Sequence, residues 1–236
     1  INRLPSLKIT DSPWSIVEAD ESINGLDTKA KFLYYKVKYL ILTSADWEHK
    51  DSYQTATSNF NAFKKLIQKL PQNGLLITNL TDNNCRKLSL FSQAPVLGYN
   101  PSGNYQQQNT AAALTLCSYL KIDSTPATSY KGLKRRLELI KTKNDFFFYD
   151  DFAQSAPRIK SALAVLRSRH PHHKIYSLLD PHASFLKTKP GLVDLKPALS
   201  SCTKIILTKI IFDQKIPKNQ RATSLDFKKN IGPKLI

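Results

Sequence analysis

Methionine is absent from this chain of 236 residues, glycine is scarce at seven, and acidic residues number 18 against 35 lysines and arginines. Each shortage excludes something. The first residue is Ile1, so an initiator methionine is not among these residues, and a processed chain and a fragment both fit that start. Seven glycines leave little room for the glycine loops that let a backbone close on a phosphate. Cys85, Cys117 and Cys202 lie too far apart for a metal motif and leave one thiol over in any disulfide scheme. Buried thiols in a reducing compartment, the cytoplasm or the interior of an organelle, are therefore expected. No apolar run reaches the roughly 18 to 20 residues of a membrane span, and no charged-then-apolar segment opens the chain as a secretory signal would.

What is present is a globular composition. Hydrophobic residues make up 41% and aromatics 10%, and the length accommodates two ordinary domains or one large one. The net charge of +17 favours anionic partners: nucleotides, phosphorylated substrates, RNA or acidic surfaces. A solvated lysine-rich surface explains the same charge, because the lysines are dispersed and form no single block.

Apolar runs at residues 15–19, 39–43, 74–79 and 96–98 read as strands. Phe60, Phe63, Leu66, Ile67 and Leu70 recur at helical spacing until Pro71 and Gly74 end the pattern. Residues 83–91 read as a short helix and 110–120 as an alanine-rich one. This alternation predicts an α/β fold with a mostly parallel sheet. A polar break at 141–145 divides the chain into a first domain, 1–144, and a second, 145–236, hinged there. The second opens on Phe146-Phe147-Phe148-Tyr149, a buried strand by composition, ending on Asp150 and Asp151. A helix through Ile159, Leu163 and Leu166 follows, then a strand at 175–179 ending on Asp180, and another at 204–212. The lysine-rich remainder reads as a loosely held tail.

Polar groups at the carboxyl ends of parallel strands are where open α/β sheets bind ligands. Glu18 and His49 each stand just past an apolar run, so they are expected to face one crevice. A carboxylate and an imidazole there suit a divalent metal; an acidic surface loop with a solvated histidine fits the same residues. Gly103 to Ala113 includes Asn104 and Asn109, and an asparagine opening a helix is first of all an N-cap. In Lys134-Arg135-Arg136-Leu137-Glu138 the guanidinium forks suit phosphate oxygens, or simply make a solvated face. His170, His172 and His173 read as a surface loop.

Taken in order, these segments resemble the Mur ligases, ATP-dependent amide ligases of peptidoglycan assembly. The residues that carry the resemblance are Val17-Glu18-Ala19-Asp20-Glu21-Ser22, the run ending Asp46-Trp47-Glu48-His49-Lys50-Asp51, Gly103 through Asn109 to Ala113, Arg135-Arg136-Leu137-Glu138, and Asp150-Asp151-Phe152-Ala153. The resemblance spans residues 12–211 and is nearest to the branch that attaches tripeptide to UDP-N-acetylmuramate. It implies a central domain with an incomplete, mostly parallel sheet, followed by a Rossmann-like C-terminal domain. It also implies ATP and magnesium as cofactors, a UDP-linked muramic acid substrate, and an amino acid or peptide as its partner. By the same resemblance Glu18 and His49 are catalytic and ligate magnesium, Asn109 meets adenine, Arg136 the phosphates and Asp151 the ribose. Tyr105, Gln106, Gln154 and Ser155 depart from the family's usual histidines and asparagine. The family's phosphate loop, Gly-x-x-Gly-Lys-Thr-Thr or similar, has no match here and is expected upstream of Ile1. The strands that usually separate Gly98 from Gly103 are also missing. Two functions stay open: an active ligase, or a catalytically inactive relative serving as a scaffold in a basic assembly with RNA or a large complex.

Overall fold

The computed structural model describes residues 11–47, 50, 52–130, 132–211 and 216–236. The chain divides into two compact units, Ile1–Lys131 and Gly132–Ile236.

In the first unit the order is β1 (Tyr39–Leu42), α1 (Ala56–Gln68), β2 (Leu75–Thr78), α2 (Asn83–Ser89), β3 (Val96–Gly98) and α3 (Tyr105–Leu120). The three strands form one parallel sheet in the order β1-β2-β3, with Tyr39 opposite Leu75 and Leu76 opposite Val96. All four residues of β2, Leu-Leu-Ile-Thr, are buried, as befits a central strand covered on both faces. On one face Leu40, Leu42 and Leu76 pack with Ala62, Phe63, Leu66 and Ile67 of α1 and Leu88 of α2. On the other, Leu75 and Ile77 pack with Ala112 of α3 and Tyr99. Helix starts are set by side-chain caps. Thr55 and Ser58 form a capping box at α1, and Asp82 accepts the Cys85 N–H at 2.7 Å at α2.

Residues 15–19 do not form the expected strand. Ile16 is 97% exposed and Val17 52%, and among the described residues no neighbouring strand pairs the amides of this extended segment. The segment is instead tethered by single contacts. The Trp14 ring lies 5.6 Å from that of Tyr39, and the Asp20 carbonyl accepts the Phe32 N–H at 2.9 Å. Helix α3 starts five residues earlier than its alanines suggest because Asn104 caps it.

The second unit opens with an antiparallel hairpin, β4 (Glu138–Lys143) and β5 (Phe146–Asp150), closed by Asn144 and Asp145, both at positive φ (47° and 64°). That is the twist a two-residue hairpin turn requires. Then follow α4 (Ala156–Arg169), β6 (Tyr176–Leu179), α5 (Lys189–Ala198), β7 (Lys204–Leu207) and α6 (Ser224–Ile231). β6 and β7 pair in parallel. Ile159 and Leu163 of α4, Leu179, Leu192 and Leu195 of α5, Ile205 and Phe227 of α6 share one core.

Four expectations change here. The chain divides at 131/132, and residues 141–145 are the closed end of the hairpin, not a hinge. β5 pairs with β4 alone and is not buried: Phe146 is 63% exposed and Phe148 49%. The tail is not loose, because α6 has its own Thr223–Asp226 capping box and buries Phe227 completely. The last strand stops at Leu207, and Phe212 lies outside the described residues.

The cysteines supply a check on both cores. Burial pushes the Cys85 thiol up to about 12 and the Cys202 thiol to about 11, while Cys117 is only half-buried on α3. We expect a maleimide at pH 8 to label Cys117 alone in the native protein, and all three thiols in urea. The raised thiols also set a sign. The unfolded chain ionises first, near pH 8.5, so their contribution to stability is complete below that pH and is lost as pH rises toward 11 to 12. Urea melts between pH 8 and 10.5 measure it; stability that rises over this range would contradict the burial of both thiols.

Candidate nucleotide-binding site

In the first unit the polar groups gather past the carboxyl ends of β1 and β2. The Thr78 hydroxyl donates to the Leu42 carbonyl at 2.9 Å. The amides of Asn59 and Asn84 donate to the carbonyls of Asp46 and Ala45, both at 3.4 Å, and Trp47 Nε1 donates to the Tyr53 carbonyl at 2.8 Å. The loop after β1 is thus fixed by side chains of α1 and α2, and the Asn59 Oδ1 is buried beside it without a hydrogen-bond partner. His49, with Glu48 and Asp51, lies outside the described residues. Glu18 is exposed on the irregular segment and ends no strand, so it does not fill the strand-end position expected of it. Among the described residues no three His, Cys, Asp or Glu side chains converge as a metal would need. Asp46 accepts from the Ser44 hydroxyl at 3.0 Å. Magnesium takes one or two carboxylates with waters and phosphate oxygens completing its shell, and the Asp46 carboxylate here is engaged with Ser44, so the described residues do not by themselves make up its site.

At α3 the cap is Asn104, whose Oδ1 accepts from Gln106 N and Gln107 N at 3.0 and 3.1 Å, while Gln107 returns a bond to the Asn104 N–H at 2.8 Å. Asn109 is exposed on the second turn and takes no part in the cap.

The second unit brings two expected residues together. The Asp151 carboxylate accepts the Leu137 N–H at 2.7 Å through Oδ2 and the Ala153 N–H at 2.8 Å through Oδ1. Leu137 directly follows Arg136, so Asp151 clips the arginine turn to the end of β5. The turn is strained, with Arg135 at φ 57° and Leu137 at φ 48°, and residues with side chains occupy that region at a cost of about 1 to 3 kcal/mol each. Two more bonds hold it: Arg135 N–H to Glu138 Oε2 and Phe152 N–H to the Arg135 carbonyl, both 2.8 Å. The two arginines are not equivalent. Arg135 lies 3.4 Å from Asp150 and over the Phe152 ring at 4.8 Å, whereas Arg136 is half-buried. A guanidinium on a clamped turn is suited to bidentate phosphate recognition. Beyond it, Gln154 Oε1 accepts the Ala183 N–H at 2.9 Å, and Asp180 accepts from the Thr208 hydroxyl at 2.8 Å across the ends of β6 and β7. Sequence reasoning singled out Arg136 and Asp151 but not the bond that ties Asp151 to the residue after Arg136, because the donor is a backbone amide.

Residues 11–134 match the Mur ligase middle domain, more than half of the chain, and the chain belongs to the Mur ligase family. Among curated proteins it is 24% identical to the UDP-N-acetylmuramate–L-alanyl-gamma-D-glutamyl-meso-2,6-diaminoheptandioate ligase of Haemophilus influenzae, over 86% of this chain and 53% of that protein. It is 26% identical to the UDP-N-acetylmuramate–L-alanine ligase of Borreliella burgdorferi, over 80% and 50% respectively. The fold is shared with a murein peptide ligase from Psychrobacter arcticus (TM-score 0.63, 15% identity, 92% of this chain and 53% of that one). It is also shared with a MurF ligase from Thermotoga maritima in complex with ADP (TM-score 0.63, 14% identity, 84% and 52%). The chain spans about half the length of the curated relatives it matches.

The clip is testable without a ligand. Charge-assisted hydrogen bonds contribute about 1.5 to 3 kcal/mol each, so Asp151→Ala is expected to speed hydrogen exchange at the Leu137 and Ala153 amides roughly 10- to 150-fold. Asp151→Asn, which keeps one acceptor, should give a smaller change. Unaltered exchange at Leu137 in the alanine variant would show that the turn is held by something else.

Proposed function

We propose that the protein is an ATP-dependent amide ligase of the Mur type. The observation that carries this reading is the Asp151 clip, which fixes Arg136 on a rigid turn beside the carboxylate matched to ribose binding. The γ-phosphoryl group of ATP passes to a substrate carboxylate, giving an acyl phosphate and ADP. An amine nitrogen then attacks the acyl carbon, phosphate leaves, and the amine's proton is lost as the amide forms. Such transfers depend on positioning and on stabilising the charge of the phosphoryl oxygens. Arg136 supplies that charge, Asn109 meets the adenine, and Asp151 holds the turn with spare lone pairs for a ribose hydroxyl. Glu18 and His49 carry the family's metal-side pattern, and their roles as magnesium ligands are proposed from that pattern alone. The substrate proposed is a UDP-N-acetylmuramate-type carboxylate, joined to an amino acid or peptide, as the names of the relatives suggest.

A second reading, a non-catalytic relative that keeps the fold as a scaffold, is favoured by one contact. Gln154 stands where the family has a titratable histidine, and here it serves a backbone amide.

Trapping with hydroxylamine separates the two. The encoded polypeptide, given magnesium-ATP and a UDP-N-acetylmuramoyl carboxylate, is expected to release an acyl hydroxamate and ADP. Arg136→Ala should slow this about 10- to 150-fold, the equivalent of one charge-assisted bond. Arg135→Ala should change it only a few-fold. A folded protein that forms no hydroxamate would favour the scaffold.

A further inference from the structure

The charge of the chain is divided unequally between its units. Residues 132–236 hold 21 lysines and arginines against eight aspartates and glutamates, a net +13 of the chain's +17. An excess of that size on 105 residues is an electrostatic footprint for a polyanion. The ligase reading does not account for it, since one nucleotide needs only a few cations.

The hairpin shows where such a ligand would lie. Side chains alternate across a strand. Phe147 and Tyr149 face the histidines, with the Phe147 ring 4.3 Å from that of His170 and the Tyr149 hydroxyl 2.9 Å from His170 Nε2. Phe146 and Phe148 therefore share the opposite face, where they are 63% and 49% exposed. Lys143 pairs directly with Phe146, and Lys141 with Phe148, so each exposed ring has an exposed lysine beside it on the same face. Farther along, Arg135 lies over the Phe152 ring at 4.8 Å, and Phe152 is 39% exposed. The outer face of the hairpin carries two such ring–lysine pairs, and a third ring beside a cation follows just past the end of β5. Phe146 and Phe148 stand two residues apart along β5, about 7 Å apart in the strand, and Phe152 follows four residues later.

We propose that this face binds single-stranded RNA, with bases stacking on Phe146 and Phe148 and the neighbouring lysines on the phosphates. Exposed rings flanked by cations are the usual means of holding single strands without sequence preference. Unpaired RNA offers open base faces, whereas a duplex keeps its bases stacked. An acidic protein would be drawn by the lysines but would gain nothing specific from flat aromatic faces.

The test is fluorescence anisotropy with a labelled 12-nucleotide single-stranded RNA of mixed sequence, titrated with the full chain at several salt concentrations. Phe146→Leu/Phe148→Leu keeps apolar bulk and charge but removes the rings, and is expected to weaken binding at least tenfold. Lys141→Gln/Lys143→Gln should weaken binding and make the salt dependence shallower. Leu178→Ala, also exposed (70%) but on β6, should bind as the parent does. Far-UV circular dichroism confirms that each variant is folded. Parent-like affinity of the leucine pair would overturn the proposal. So would equal affinity for double-stranded RNA, or displacement by polyglutamate at equal charge, which would mark the face as one for acidic proteins.

Discussion

The Asp151 carboxylate is the contact on which the arginine turn of the second unit depends. Two backbone N–H groups from different segments end on its two oxygens. The turn it holds contains two left-handed residues with side chains, together costing about 2 to 6 kcal/mol. Three side-chain contacts offset this: the two on Asp151 and the one from Glu138, at about 1.5 to 3 kcal/mol each. The contacts are large enough to offset the strain, so the turn depends on both carboxylates staying in place. Strain of this kind is worth retaining where a side chain must be aimed, and the side chain inside the turn is Arg136.

Each unit solves the same packing problem in its own way. In the first, β2 has helices on both faces, and its apolar run of Leu75, Leu76 and Ile77 can only be a central strand. The ends of β1 and β2 are then the places where polar loops collect, and the asparagines of α1 and α2 hold the loop of Asp46. In the second, the two-stranded sheet of β6 and β7 buries one side against α4, α5 and α6, while Tyr176, Leu178 and Ile206 stay exposed. The hairpin adds a second ribbon with one face packed and one open.

The parts of the fold that could be read from the residues are those where one local pattern decides the element. The helical spacing of Phe63, Leu66 and Ile67, the run in β2, and the alternation that makes the sheet parallel all need no distant information. Failures fell where a partner decides. Residues 15–19 have a strand's composition but no strand beside them. The phenylalanines of β5 suggest burial, yet their neighbour is a lysine-bearing strand, not a helix layer. The tail has few apolar residues, but Ile216, Ala222, Phe227 and Ile231 are all buried. The candidate site divides the same way. Arg136 and Asp151 stood out as residue types in a pattern, whereas the amide of Leu137 that joins them carries no signature in a sequence. His49 lies outside the described residues, so the pairing expected with Glu18 rests on sequence alone.

The departures from the family's pattern are less damaging to a ligase than their number suggests. An acyl-phosphate mechanism stabilises phosphoryl charge with fixed cations and needs no protein acid near the ribose. A histidine next to Ala153 could serve as a neutral acceptor only above its own pKa, near 6.5. Gln154 offers the same lone pair at every pH, and its Oε1 holds the Ala183 amide at 2.9 Å. The exchange gives up a proton switch and leaves a backbone contact in its place. With Asp180 tied to Thr208, the bonds described beyond β5, β6 and β7, Gln154 to Ala183 and Asp180 to Thr208, involve no imidazole. That arrangement is compatible with the nucleotide-orienting role proposed for these residues, which moves no protons.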